Sequence, residues 1–511
     1  MATAQCGASL IELLDQWEIR MIAEFTSSFG ILLLRATRVP GVIDFISPVK
    51  KKKHSPDWML GKGTKNSHRE LCELAREWGA TQFDDMLRDA ARGADPIRAR
   101  ELCILAREYL DAEGIKANLD QMSYESARKG NRDVCILARD WARERNDAEY
   151  VSSVTNSMLC GAAYGTDPVR ARDLCILAKE WLDAGDVNSG TDYNRMLCNA
   201  AWSGHRDLCI LAREWIDAAR GTSGAPDFNT MLQSATYSAD SVCCRDICIL
   251  AKEWADAEGT GDALDFDGMF YKVASHGHYD LCILAREWAH GWLNAEGVPS
   301  ISIFENALGG AACGGHRNIC ELIYGWAHEA QLKLRDISGT QRTPPISFDD
   351  MIWGAARCAD PIHARELCEL AREWAQIEFA RERESGTCAS PINFNYMLCG
   401  AAREGHRDIC ILAREWIMSE PSSAKANFSE MIYCAAFSGH CDICELARKW
   451  NDEMGIKTDL NEVLRHANMC SDFTRGPDVR ELAHKWIDRA EGTQDIQGAL
   501  RAPTSRPMQN P

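Results

Sequence analysis

Five pairs in the chain bring histidine and cysteine to a spacing that could bind a metal: His205 with Cys209, His278 with Cys282, His316 with Cys320, His406 with Cys410 and His440 with Cys444. Side chains four residues apart share one face of a helix, and imidazole with thiolate is a zinc donor set. Each pair offers two ligands where a structural zinc site takes four, so a histidine at a helix start above a buried thiol is the better reading. Cys441 and Cys444 make a C-x-x-C, and Cys243, Cys244 and Cys248 form a small group. Both lie inside helical patterns and lack the strand context of a redox motif. No nucleophile stands beside a base, and there is no phosphate-binding glycine loop and no paired carboxylate outside the repeated pattern. Neither catalysis nor a metal or other cofactor is expected.

The elements that carry these residues repeat. The stretch Gly405 to Trp416, GHRDICILAREW, returns along the chain, with its cysteine at Cys72, Cys103, Cys135, Cys175, Cys209, Cys248, Cys282, Cys320, Cys368, Cys410 and Cys444, and Arg480 in a twelfth copy. Six residues after each of these comes an aromatic, among them Trp215 and Trp416. A fixed period of this kind specifies a solenoid in which each unit buries its apolar face against its neighbours. Upstream of each cysteine lies F-x-x-M-L-x-x-A-A, as in Phe394, Met397, Leu398, Ala401 and Ala402, which describes one face of a short helix A. The cysteine stretch is helix B, burying Ile409, Leu412, Ala413 and Trp416 and turning Arg414 and Glu415 outward as a salt-bridged solvent face.

The distance from the methionine to the cysteine is 13 residues in some units, as from Met397 to Cys410, and 17 in others, as from Met86 to Cys103. Four residues are close to one helical turn. The longer connections read Ala94-Asp95-Pro96, Thr166-Asp167-Pro168 and Ala359-Asp360-Pro361, an Asp N-cap with Pro at the first helical position, so helix B gains a turn there.

The chain is 511 residues long, carries a formal net charge of -18 and contains 23 cysteines. No run of 18 apolar residues exists to span a bilayer, and the first residues lack a basic-then-apolar signal, so an intracellular, cytoplasmic protein is expected. The cysteines of the slot sit one per stacked unit, too far apart for disulfides, and read as small buried residues. Acidity argues against a general nucleic-acid binder, whose affinity rests on neutralised phosphates.

Residues 1 to 54 do not carry the repeat. An amphipathic helix from about Leu10 to Thr26 is expected to cap the array, and Lys50, Lys51, Lys52 and Lys53 form a solvated linker or a nuclear-import signal. The repeats run from residue 55 to residue 500, and residues 501 to 511 form a tail expected to be disordered.

The order A-A-x-x-G-H-x-D-I-C-x-L-A, Ala401 to Ala413, resembles the core of the ankyrin repeat, and the variant with Met-Leu in helix A and Cys-x-Leu-Ala-[Arg/Lys]-Glu-Trp in helix B looks like the divergent ankyrin-like proteins of giant DNA viruses of amoebae. A tetratricopeptide repeat would place its tryptophan in the first helix, unlike these units. The reading is an all-α protein, an α-solenoid of about twelve stacked helix-loop-helix repeats with an N-terminal helical cap. Cys209, Trp215, His406, Cys410 and Trp416 are its structural positions.

The two longest insertions, Gln331 to Ile346 and Ile377 to Ile392, hold Lys333, Arg335, Arg342, Arg381 and Arg383 in an otherwise acidic array. Insertions project from one face of a solenoid, which makes these five residues candidate partner contacts. The expected function is a non-enzymatic, monomeric scaffold binding a host or viral protein, with no nucleic acid and no membrane as partner. The resemblance implies two alternatives: a ubiquitin-ligase adaptor using an F-box-like segment at Ile11 to Leu14, and a structural virion component.

Overall fold

The computed structural model describes residues 55–184, 191–219, 225–289, 301–338, 345–385, 392–419, 425–470 and 475–501. Among them are twenty-four α-helices, one short 3-10 turn and no strand, arranged as the twelve A and B pairs of the repeat. The chain divides into two compact units at Gly259 and Thr260, with six pairs in each.

In the first unit the pairs are α1 (Pro56–Lys65) with α2 (Arg69–Glu77), α3 (Phe83–Ala91) with α4 (Pro96–Ala112), α5 (Leu119–Arg128) with α6 (Arg132–Arg143), α7 (Ala148–Ala163) with α8 (Pro168–Asp183), α9 (Tyr193–Trp202) with α10 (Arg206–Ala218), and α11 (Phe228–Ala235) with α12 (Ser241–Ala257). In the second they are α13 (Phe266–Ser275) with α14 (Tyr279–Ala289), α15 (Ile301–Cys313) with α16 (Arg317–Ser338), α17 (Asp349–Ala356) with α18 (Pro361–Ser385), α19 (Phe394–Glu404) with α20 (Arg407–Ser419), α21 (Phe428–Ser438) with α22 (Cys441–Glu453), and α23 (Leu460–Asn468) with α24 (Gly476–Arg501). Odd labels are A helices and even labels are B helices.

The two connection lengths produce two kinds of B helix. In α4, α8 and α18 an aspartate caps the first turn and proline follows it. Asp95 accepts from the amides of Ile97 and Arg98, Asp167 from those of Val169 and Arg170, and Asp360 from that of Ile362. The shorter α20 begins four residues later relative to its cysteine, after Gly405 at φ +88° ends the A helix in the left-handed region that glycine enters freely. The extra turn is added before the buried stripe, which keeps its register.

Helix A buries its Phe, Met, Leu and paired Ala, and helix B its Leu or Ile, Cys and Ala. The thiol of the slot is a donor as well as a filler. Cys103 Sγ lies 3.9 Å from the Leu87 carbonyl, Cys175 3.8 Å from Leu159, Cys410 4.0 Å from Leu398 and Cys444 3.8 Å from Ile432, always the leucine or isoleucine after the methionine of the same repeat. Cysteine suits this place because it is small enough for full burial and still satisfies its weak donor.

A helices approach each other closely enough for backbone contact. A Cβ on Gly161 would fall 2.2 Å from the Tyr124 carbonyl oxygen, and one on Gly354 2.1 Å from that of Gly309. Glycine at these positions sets the spacing of the A row.

The two insertions are in part helix. α16 runs on through Gln331 to Ser338 and α18 through Ile377 to Ser385, so the first half of each insertion lengthens a B helix instead of forming a loop. The cap proposed at Leu10 to Thr26, the lysine run at 50 to 53 and the tail at 502 to 511 lie outside the described residues. No described helix is long and apolar enough to cross a membrane.

Candidate functional site

On the B row, an arginine four places after the cysteine in most repeats reaches forward to the aromatic of the next, and after Cys320 Tyr324 stacks there on Trp374 instead. Arg76 lies 4.2 Å from the Tyr109 ring, Arg107 4.6 Å from Trp141, Arg139 4.1 Å from Trp181, Arg286 4.8 Å from Trp326, Arg372 4.5 Å from Trp416 and Arg414 4.8 Å from Trp450. The same aromatic meets the helix A ring of its own repeat, as Trp416 meets Phe394 at 5.4 Å and Trp450 meets Phe428 at 5.2 Å. Three of these arginines also find an acid in the next repeat, Arg107 with Glu144, Arg286 with Glu329 and Arg414 with Glu453, and so does Arg213, 5.8 Å from the Trp254 ring, with Glu258. The expectation that Arg414 simply turns outward is thus corrected, because a cation over a neighbouring indole and beside its glutamate is a joint between repeats.

Histidine and cysteine of each pair diverge. His205 Nε2 is 2.6 Å from the Gly165 carbonyl oxygen, His316 Nε2 3.2 Å from that of Ser275, and His406 Nε2 2.7 Å from that of Cys358, each at the end of the preceding repeat's A helix. The thiol of the pair faces its own helix A, so ring and sulfur serve different carbonyls. Among the described residues no three His, Cys, Asp or Glu side chains come together as a metal site would need.

A third device had no counterpart in the sequence reading. The residue after the helix A aromatic is an acid or amide that caps the next repeat. Asp57 Oδ1 accepts from the amides of Thr81 and Gln82, Asp84 from Asn118, Asp349 from Asn393 and Asn395 from Asn427. Asn395 also donates to the Lys425 carbonyl at 3.0 Å. These acids supply part of the negative charge yet are committed to backbone amides.

The remaining repeated feature is a row along the C-terminal ends of the A helices in the first unit. The Arg128 guanidinium lies 5.0 Å from the Tyr164 ring, Tyr164 5.9 Å from Trp202, and Trp202 stacks on Tyr237 at 4.1 Å and 12°. Trp202 is 37% exposed. Upstream, Arg92 bonds Glu125 at 2.6 Å and Arg128 lies 3.7 Å from the same carboxyl. Burial works to raise Glu125, but the Arg92 hydrogen bond and the charges of Arg92 and Arg128 outweigh it and hold that carboxyl below its ordinary value. Lys65, Arg88, Arg92 and Arg128 share three carboxylates, Asp85, Asp89 and Glu125, of which the last two are buried. Lys62, in the last turn of α1, adds to this side, which leaves it locally basic within an acidic chain.

The candidate contacts chosen from the insertions are dispersed. Lys333 pairs with Glu329 at 2.8 Å, Arg381 with Glu378 at 2.7 Å, and Arg383 lies 5.2 Å from the Phe379 ring. Each is engaged within its own helix. Arg335 is in α16, its side chain outside the described set, and Arg342 lies outside the described residues. Of the structural positions, Cys209 and Cys410 donate to the Leu197 and Leu398 carbonyls of their own repeats, His406 reaches the Cys358 carbonyl, Trp215 meets Tyr193 at 5.8 Å and Trp416 meets Phe394 at 5.4 Å.

No known family matches the chain, and no curated protein matches it. Among solved structures it is similar to the pentatricopeptide repeat protein PPR10 from maize, at 12% identity and a TM-score of 0.32 over 89% of this chain and 78% of that one. It is also similar to PPR10 in complex with an 18-nt psaJ RNA element and to a triple cysteine-to-serine form of that complex, each at 14% identity and a TM-score of 0.31 over 94% of this chain and 78% of that one. The likeness is to a helical-repeat protein, and an ankyrin type or a viral source finds no support in it. The expectation of a protein scaffold with no nucleic-acid partner is corrected by these RNA complexes, and with it the ligase-adaptor and virion alternatives. The physical fault lay in arguing from net charge. A sum of -18 counts carboxylates that cap helices and pair with arginines, and it says nothing of the sign of one face.

Proposed function

We propose that the protein is a non-catalytic helical-repeat module that holds single-stranded nucleic acid along the A-helix ends of its first unit. One observation carries this reading: the row of Arg128, Tyr164, Trp202 and Tyr237, one residue per repeat, at stacking distances and partly exposed. Aromatic and guanidinium planes set out in this way offer π faces to unpaired bases, at about 1–3 kcal/mol per base and with little sequence preference. Lys62, Lys65, Arg92 and Arg128 stand at the same helix ends to meet phosphates, while Asp89 and Glu125 among them are buried and already neutralised. Catalysis has no place in this reading, since the face consists of rings and cations without a base or nucleophile among them.

The test is fluorescence anisotropy with labelled single-stranded RNA and DNA oligonucleotides of about 20 nucleotides at low salt, run on the full chain, Trp202→Ala and Arg128→Ala. Removal of the indole should weaken binding about 5- to 100-fold, the range expected from the loss of one stacked base. Thermal unfolding alongside separates loss of the face from loss of the fold. A folded wild-type chain that binds neither oligonucleotide at about 100 μM, the weak end of non-specific affinity, would overturn the reading.

A further inference from the structure

The joint between α6 and α8 differs in two ways from the joint one repeat earlier, between α4 and α6. In α4 and α10 the arginine of the joint has an acid one turn later, Arg107 with Asp111 at 3.4 Å and Arg213 with Asp217 at 2.9 Å. In α6 the residue in that place is Arg143, so Arg139 is followed by a second cation. The acid of the next repeat is also missing. Where Glu144, three residues after Trp141, meets Arg107, the residue three after Trp181 is Ala184, in the groove wall.

The result is a groove of about 440 Å³ lined by Arg139, Arg143, Ser152 and Trp181. That volume is within the range of small-molecule sites. Arg139 lies 4.1 Å from the Trp181 ring, and its Nε is buried without a hydrogen-bond partner. The acid in the groove wall, Asp147, accepts at its Oδ1 from the Tyr150 amide as the cap of α7. Among the described residues no carboxylate forms an ion pair with Arg139 or Arg143. Burial, and then the neighbouring Arg143 cation, push the Arg139 guanidinium below its ordinary value. The groove one repeat earlier is the internal control: it holds Arg107 and Trp141 in the same places, but with Asp111 and Glu144 in its wall.

We propose that the Arg139, Arg143 and Trp181 groove is an anion site that takes a small phosphomonoester. Two guanidinium groups with free donors fit the several oxygens of a phosphate dianion, and the indole beside them provides a flat apolar wall for the group that the phosphate is carried on. The site is made of α6, α7 and α8 residues and does not use the stacked row at the A-helix ends.

The experiment is isothermal titration calorimetry of the full chain with adenosine 5′-monophosphate, inorganic phosphate and adenosine. Adenosine 5′-monophosphate should bind, inorganic phosphate should bind more weakly and compete with it, and adenosine should be at least tenfold weaker than its monophosphate. The double variant Arg143→Asp/Ala184→Glu gives the groove the two acids that the Arg107 joint carries, so it should fold and should lose at least tenfold in affinity. Should it unfold, Arg143→Gln on the exposed side chain serves instead. Trp202→Ala should leave nucleotide binding unchanged, which keeps a failure here distinct from a failure of the nucleic-acid reading. Absence of phosphate binding at millimolar concentration, equal binding of adenosine, or unchanged affinity in the variant would each overturn the proposal.

Discussion

A thiol buried inside a helix pair has no water to stabilise its charge. Burial pushes Cys135, Cys282 and Cys320 up to about 12, from an ordinary value of 9.0. In the unfolded chain these groups ionise near pH 9, so between pH 9 and 12 the native state holds protons that the unfolded state has lost. Stability is therefore complete below pH 9 and falls above it, by about 1.4 kcal/mol per pH unit for each such thiol. Urea unfolding at pH 8 and pH 10 should show this fall, and Cys320→Ala should make it shallower by about one thiol's share. An unchanged pH slope in that variant would mean that the sulfur titrates in the folded protein. The thiol's burial was legible from its place in the period, because a position flanked by Leu and Ala on one helix face can only point inward. Its carbonyl partner was not legible, nor was the reach of Arg414 to Trp450 or of Asn395 to the Asn427 amide. The last two contacts join residues more than thirty apart in sequence and leave no mark on local periodicity.

At the scale of the element, the helices were readable down to the extra turn of α4, α8 and α18, since Asp-Pro states both the cap and the first position. The insertions were not, because a B helix that runs past its tryptophan has no repeat pattern to announce it. Glycine provides the sharpest test of how the A helices sit. In an open helical position, Gly to Ala should stabilise by roughly 0.5–1 kcal/mol. Gly325 in α16 is such a position, with nothing within 4 Å of an added Cβ. At Gly354 the same methyl would meet the Gly309 carbonyl at 2.1 Å, so the two helices must move apart and the sign reverses. Gly354→Ala should destabilise by about 1–3 kcal/mol, as overpacking does. Opposite shifts of the urea midpoint in the two variants are the expected outcome, and equal shifts would show that α15 and α17 are not in backbone contact.

For the molecule as a whole, stability is a sum over repeats and the joints between them, and the chain divides into two units at residue 259. Trp416, buried and held between Phe394 and Arg372, is a joint of the second unit alone. Trp416→Ala should cost about 3–5 kcal/mol there and split denaturant unfolding into two steps, the first unit keeping its midpoint. Charge, too, has to be argued at this scale, because -18 repels a polyanion at long range while the A-helix ends attract it at contact. In the proposed reading, binding of a single strand rests on stacking, with only a few phosphates neutralised by Lys62, Lys65, Arg92 and Arg128. For single strands the slope of log affinity against log salt is about -0.7 for each neutralised phosphate, so two to four contacts give a slope of about -1.5 to -3. Anisotropy titrations at three salt concentrations measure it directly. A slope steeper than about -5 would place the strand on a far more basic surface than this face has, and would move the binding site away from the Tyr164 to Tyr237 row.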